Sequence, residues 1–234
     1  MRAGGWILVP GWGADAGAFD AALRRIPGVP ARAVGWDDLL LRGDAALADA
    51  RPALGPGPVG IAGWSLGALL ALQAALAAPG RFAAVALVSG TGRFCADGAG
   101  YPGAAPRALR AMAARLGRDP DAVRRAFAAS CAAPDGGEGA AAWWLAQASR
   151  FDPAALGRGL AALAALDLRA HAGALRLPVR LLHGERDEVV PLAAAADLAA
   201  RLPDARLTAL PGHGHALPCT APEAVAALLS ELPR

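Results

Sequence analysis

Five residues, Gly63-Trp64-Ser65-Leu66-Gly67, constrain this chain more than any other stretch. They stand between the apolar run Val59-Gly60-Ile61-Ala62 and the apolar segment Leu66–Ala78, which reads as a helix. A strand that passes into a helix across one residue crowds the backbone on both sides of that residue. Only positions without a Cβ fit there, which is the use of Gly63 and Gly67. Such a turn lifts the Ser65 hydroxyl above the sheet and opens a helix whose free N–H groups and dipole favour a developing anion. The plainer alternative is a glycine-rich turn with an incidental serine, and a pentapeptide alone does not separate the two.

The remaining chain narrows the choice. Its 234 residues suffice for one α/β-sized domain with a substantial core. All 23 basic residues are arginine, and the formal charge is only +3 with acids scattered among them. That gives no stripe of the kind duplex nucleic acid requires. Before Pro10 the apolar run Trp6-Ile7-Leu8-Val9 is too short for a signal-peptide core. The uncharged stretch Pro52–Gly80 has the length of a membrane span but is broken by Gly55-Pro56-Gly57-Pro58 and by the glycine turn. A strand and helix buried inside a parallel-sheet protein account for it without a membrane. Cys95, Cys131 and Cys219 are odd in number, widely spaced and without metal-ligand pattern, which suits a reducing compartment. The expectation is a cytoplasmic protein with no metal or organic cofactor.

Short apolar strands alternate with helical stretches, the pattern of a parallel sheet flanked by helices. Strands are expected over Gly5–Val9, Ala31–Trp36, Val59–Ala62, Phe82–Val88, Pro178–His183 and Ala205–Leu210. Helices are expected over Ala14–Arg25, Asp44–Leu54, Leu66–Ala78, Pro191–Leu202 and Pro222–Leu232. Between Pro106 and Leu166 no strand-like run occurs, and Pro120, Pro134-Asp135-Gly136-Gly137 and Pro153 divide the region into three or four helices. The chain therefore divides into core 1–92, helical lid 93–166 and core 167–234.

A serine nucleophile needs a base, and the base needs an orienting acid. After Pro178–His183 comes Gly184-Glu185-Arg186-Asp187-Glu188, and after Ala205–Leu210 comes Pro211-Gly212-His213-Gly214-His215-Ala216. Both loops follow strand C-terminal ends, where catalytic groups of open parallel sheets gather. Asp187 competes with Glu185 and Glu188 for the acid. His215, followed by a small residue, competes with His213 for the base. His183 reads as a packed histidine and His171 as a surface one. An oxyanion hole needs two backbone N–H donors. These are expected from Leu66, at the helix start, and from Trp12 in the loop Pro10-Gly11-Trp12-Gly13.

These motifs, in this order, resemble the α/β-hydrolase fold family. The resemblance extends from Gly11 to the C-terminal helix and includes Ala165-Leu166-Asp167-Leu168-Arg169. Within the family, Gly-Trp-Gly with Gly-Trp-Ser-Leu-Gly is most similar to the pimeloyl-acyl-carrier-protein methyl ester esterases of biotin synthesis. The resemblance implies a mostly parallel sheet with a helical lid and a serine carboxylic-ester hydrolase. It makes Ser65, Asp187 and His215 the triad, puts Trp12 and Leu66 on the substrate carbonyl, and puts Phe127 on the acyl chain. Trp64 would be a pocket wall. Departures are Pro10-Gly11 in place of His-Gly, an opening hairpin that looks missing, and a shortened loop after the second strand.

The lid carries Tyr101, Met112, Phe127, Trp143, Trp144 and Phe151, which either line an acyl channel or pack the lid helices together. It also carries Arg107, Arg110, Arg115, Arg118, Arg124 and Arg125 with few acids, either a solvated face or a surface for an acidic acyl carrier protein. The expected substrate is a small or carrier-bound acyl ester. Alternatives are an acyl thioesterase, a generic small-ester hydrolase, or a non-catalytic binding protein on the same fold.

Overall fold

The structure is a computed structural model and describes residues 4–231. Six parallel strands form one sheet in the order β2-β1-β3-β4-β5-β6. They are β1 Gly5–Val9, β2 Ala31–Ala33, β3 Val59–Trp64, β4 Val85–Val88, β5 Val179–Gly184 and β6 Ala205–Leu210. The central strands β1, β3 and β4 are buried throughout, as strands covered on both faces must be. Chain order reverses between β1 and β3, so a crevice opens beyond their C-terminal ends. The Gly11–Gly13 loop and Ser65 both lie there.

In chain order the helices are α1 Asp20–Leu23, α2 Trp36–Arg42, α3 Asp44–Ala50 and α4 Leu66–Ala77, then α5 Pro106–Leu116, α6 Pro120–Ala132, α7 Gly137–Ala148 and α8 Pro153–Ala165. α9 Leu192–Arg201, α10 Leu217–Thr220 and α11 Pro222–Ser230 complete them. α4 is buried along most of its length, which explains its lack of charge. No helix among the described residues is long and apolar enough to cross a membrane.

The expected strand over Ala31–Trp36 is shorter than the apolar pattern suggests. Trp36 instead opens α2, with Asp37 and Asp38 in the first turn, where the helix dipole favours acids. Its buried indole N–H donates to the Ala14 carbonyl at 3.2 Å, so tertiary packing decides its conformation. α10, directly behind the histidine loop, was likewise not foreshadowed. The first helical stretch splits into a 3₁₀ turn, Ala16–Phe19, and the short α1. The closing helix stops at Ser230, and Leu232 of its expected range lies outside the described residues.

α5–α8 all fall between β4 and β5. Pro120 and Pro153 each open a helix, where a missing N–H costs nothing. The Asp119 and Asp152 carboxylates cap those two helices, accepting from the amides of Ala122 at 3.0 Å and Ala155 at 2.6 Å. α7 and α8 are tied to the sheet layer. Trp144 Nε1–H donates to the Trp12 carbonyl at 3.2 Å, Trp12 Nε1–H donates to the Leu156 carbonyl at 2.8 Å, and Arg158 pairs with Asp37 at 2.8 Å. Arg150 pairs with Asp15 as well.

The glycines of the pentapeptide are sterically obligatory. A Cβ on Gly63 would overlap the backbone of Gly67 and Ala68, and one on Gly67 would overlap the carbonyls of Val9 and Pro10. No flexible side chain is available to yield. Gly67→Ala is therefore expected to destabilise the fold by more than about 4 kcal/mol, read as loss of soluble protein or a collapsed denaturation midpoint. A midpoint within a few degrees of the wild-type value would refute the crowding argument.

Candidate active site

Ser65 sits between β3 and α4 with φ 55° and ψ −118°. Apart from glycines, only Ser65 and Ser89 have positive φ among the described residues. A non-glycine residue persists there only when its surroundings hold it. Here the Ser65 amide donates to the Val88 carbonyl at 2.9 Å and its carbonyl accepts from Ala68 and Leu69. The hydroxyl is left pointing at His215, whose Nε2 lies 2.9 Å away.

His215 Nδ1 lies 2.8 Å from Asp187 Oδ2, so one chain of hydrogen bonds runs from Ser65 through His215 to Asp187. The three come from the ends of β3, β6 and β5. Gly184 lets the acid loop pass beneath the histidine loop, since a Cβ there would overlap the carbonyls of His213 and Gly214. The amides of Glu185 and Arg186 bind the two loops together, donating to Leu210 and His213 at 3.0 and 2.9 Å.

The neighbouring candidates separate cleanly. Asp187 is buried, and its Oδ1 accepts from the amides of Val189 at 2.9 Å and Val190 at 2.8 Å, while Glu185 and Glu188 are exposed. Burial by itself raises the Asp187 carboxyl, but His215 and His183 outweigh it and hold the group below the usual carboxylate range. His213 points elsewhere, with Nδ1 2.7 Å from Asp135 of the α6–α7 loop. Asp135 also accepts from the Gly214 amide at 2.9 Å, so the α6–α7 loop is fastened to the histidine loop. His171 is exposed.

Trp12 follows the end of β1, and Leu66 is the first residue of α4. Neither amide donates a hydrogen bond to the described residues. The Trp12 side chain is fully packed. Phe127 meets it edge-on at 4.9 Å between centroids, and Trp144 stacks on it at 5.7 Å. Phe127 and Met112 line a cavity of about 300 Å³ between α5 and α6, with Arg115 also in its wall. The other aromatics between β4 and β5 pack as well. Tyr101 O–H donates to the Arg93 carbonyl at 2.8 Å, Phe151 lies 5.1 Å from Trp36, and Trp143 lies 5.6 Å from Trp64.

Trp64 is buried, and its Nε1–H donates to the His215 carbonyl at 3.0 Å. That carbonyl also accepts from Ser89 Oγ at 3.2 Å. The backbone carrying the base is thus clamped from β3 and β4 together. Sequence reading missed Ser89, Asp135 and the contacts of His183. Their residue types carry no motif, and only the fold brings them to the histidine and acid loops. Among the described residues no group of three or more His, Cys, Asp or Glu is arranged to hold a metal.

The chain is 36% identical to the pimeloyl-[acyl-carrier protein] methyl ester esterase of Aromatoleum aromaticum, over 98% of this chain and 96% of that protein. It is 33% identical to the protein of the same name from Chromobacterium violaceum, over 90% and 86%. Among solved structures, the esterase EaEST from Exiguobacterium antarcticum superposes with a TM-score of 0.83, covering 98% of this chain and 92% of that one at 18% identity. At that identity the superposition speaks for the fold alone. The model of the alpha/beta hydrolase family matches residues 6–228, and the chain belongs to that family.

Proposed function

We propose that this chain is a serine carboxylic-ester hydrolase whose substrate is the methyl ester of a carrier-bound pimeloyl chain. The observation that carries the reaction is the hydrogen-bond chain Ser65–His215–Asp187, at 2.9 and 2.8 Å. The names of the relatives, matched nearly end to end, support the substrate.

In this reading Ser65 Oγ attacks the ester carbonyl while His215 Nε2 takes its proton. Asp187 holds the imidazolium that forms, and the amides of Leu66 and Trp12 receive the oxyanion. His215 then protonates the departing methoxide, methanol leaves, and an acyl-Ser65 ester remains. Water attacks that ester by the same route and releases the carboxylate. Phe127 lines the acyl chain's path, and Trp64 backs the pocket behind His215. A cytoplasmic site of action accords with three unpaired thiols.

The lid, taken as 93–166, would receive the carrier. Arg107, Arg110, Arg115, Arg118 and Arg125 are exposed on or beside α5 and α6, opposite only Asp119 and Asp121 on the same helices. Arg124 is spent internally, donating to Asp121 and to the Phe151 carbonyl. An acidic carrier protein matches such a face, and salt should weaken the match.

The test compares carrier-bound pimeloyl methyl ester with p-nitrophenyl acetate. Wild type is expected to release methanol and pimeloyl carrier. Arg107→Glu with Arg110→Glu is expected to raise KM for the carrier-bound ester about tenfold, with hydrolysis of the small ester unchanged. Release of the free carrier thiol would instead assign a thioesterase. Indifference to the carrier would assign a small-ester hydrolase.

A further inference from the structure

His183 is the penultimate residue of β5 and is fully enclosed. Its Nε2 lies 2.8 Å from the Val190 carbonyl oxygen and 3.3 Å from Asp187 Oδ2. A carbonyl only accepts, so Nε2 carries the ring hydrogen. Nδ1 has no partner among the described residues and is the bare nitrogen of the ring. The single N–H donates to the Val190 carbonyl, and its nitrogen stands 3.3 Å from the carboxylate oxygen that accepts from His215 Nδ1.

We propose that His183 is a positioning residue, whose Nε2–H end 3.3 Å from Asp187 Oδ2 draws on the charge that His215 also addresses and so sets how strongly the carboxylate holds the imidazolium. The inference rests on the triad reading above. The titratable groups facing Asp187 are His183 from β5, His215 from the loop after β6, and the Cys131 thiol from α6. Cys131 is fully buried, and burial and the Asp187 charge both push its thiol up, so it stays uncharged while the two histidines share the carboxylate. Oδ1 is already saturated by the Val189 and Val190 amides, which leaves Oδ2 as the one oxygen both rings can address. Without the His183 donor, the full charge on Oδ2 falls to His215. The base then holds its proton more tightly and is blocked up to a higher pH.

The experiment uses the whole chain and three variants, His183→Leu and His183→Met without a donor, and His183→Gln with an N–H of similar reach. Active sites are counted by fluorophosphonate labelling so that misfolded protein does not enter kcat. The donor-free variants are expected to lose activity at acidic pH and to keep the wild-type kcat on the alkaline plateau. The acid limb of their kcat/KM profile should move to higher pH, and the glutamine variant should keep the wild-type limb. A role in packing alone would lower the amount of active protein without moving the limb. An unmoved limb in the donor-free variants, or an equal shift in His183→Gln, overturns the proposal. Wild type that the fluorophosphonate does not label overturns the triad reading itself and this inference with it.

Discussion

Ser65→Ala is expected to lower kcat by about 10⁶ while leaving the protein folded. The size follows from the triad acting as a unit: without the hydroxyl there is no acyl-enzyme, and His215 has nothing at 2.9 Å to deprotonate. The residual rate would come from the oxyanion donors and from binding. Alanine keeps a Cβ in the same backbone conformation, so the strain at φ 55° is unchanged and only the bond to His215 is lost. Thermal midpoints of variant and wild type should therefore agree within a few degrees. Fluorophosphonate labelling gives the sharpest readout, expected in wild type and absent in the variant. Equal labelling of both would show that the reactive nucleophile is not Ser65.

What the sequence discloses about this site is governed by the range of the physics involved. The turn around Ser65 is legible because its cause is local: Gly63 and Gly67 crowd each other and the β1 end within a few ångströms. The acid and histidine loops are legible because a strand end is a local signal and a parallel sheet has only one C-terminal edge. That Asp187 rather than Glu185 or Glu188 turns inward is a finer matter, since the amides of Val189 and Val190 hold the shorter side chain there. Trp36 reads wrongly as the end of a strand because its partner, the Ala14 carbonyl, lies 22 residues away. Trp64 and Asp135 reach the histidine loop across 151 and 78 to 79 residues, and no local pattern encodes such a meeting. The helical segment between β4 and β5 shows the same division. Helix number follows from the prolines, whereas the separation of Phe127 and Met112 in a cavity wall from the packed Tyr101, Trp144 and Phe151 follows only from three-dimensional neighbours.

Asp187→Asn carries the second large effect, a loss of about 10⁴ in kcat, by a different route. The asparagine oxygen can still accept from Val189 and Val190, so the turn should persist and the amide nitrogen must replace Oδ2. That nitrogen only donates, and it would face two rings. His215 Nδ1 must then become an acceptor, which places the ring hydrogen on Nε2 and points a donor at Ser65 where a base is needed. His183 Nε2–H stays on the Val190 carbonyl, with a donor in place of the carboxylate oxygen beside it. Glu185→Gln and Glu188→Gln, exposed on the same loop, are expected to stay within about twofold of wild type as controls. Stability should report the same carboxylate. Its folded form titrates below its unfolded form, so it contributes stability that is fully present above the unfolded value near about 3.9. That contribution is lost as pH falls through the folded value. The gap in unfolding free energy between wild type and Asp187→Asn should therefore be widest near neutrality and close as the solution is acidified below about pH 4. Activity retained within tenfold, or a stability gap that does not change with pH, would show that another acid orients His215.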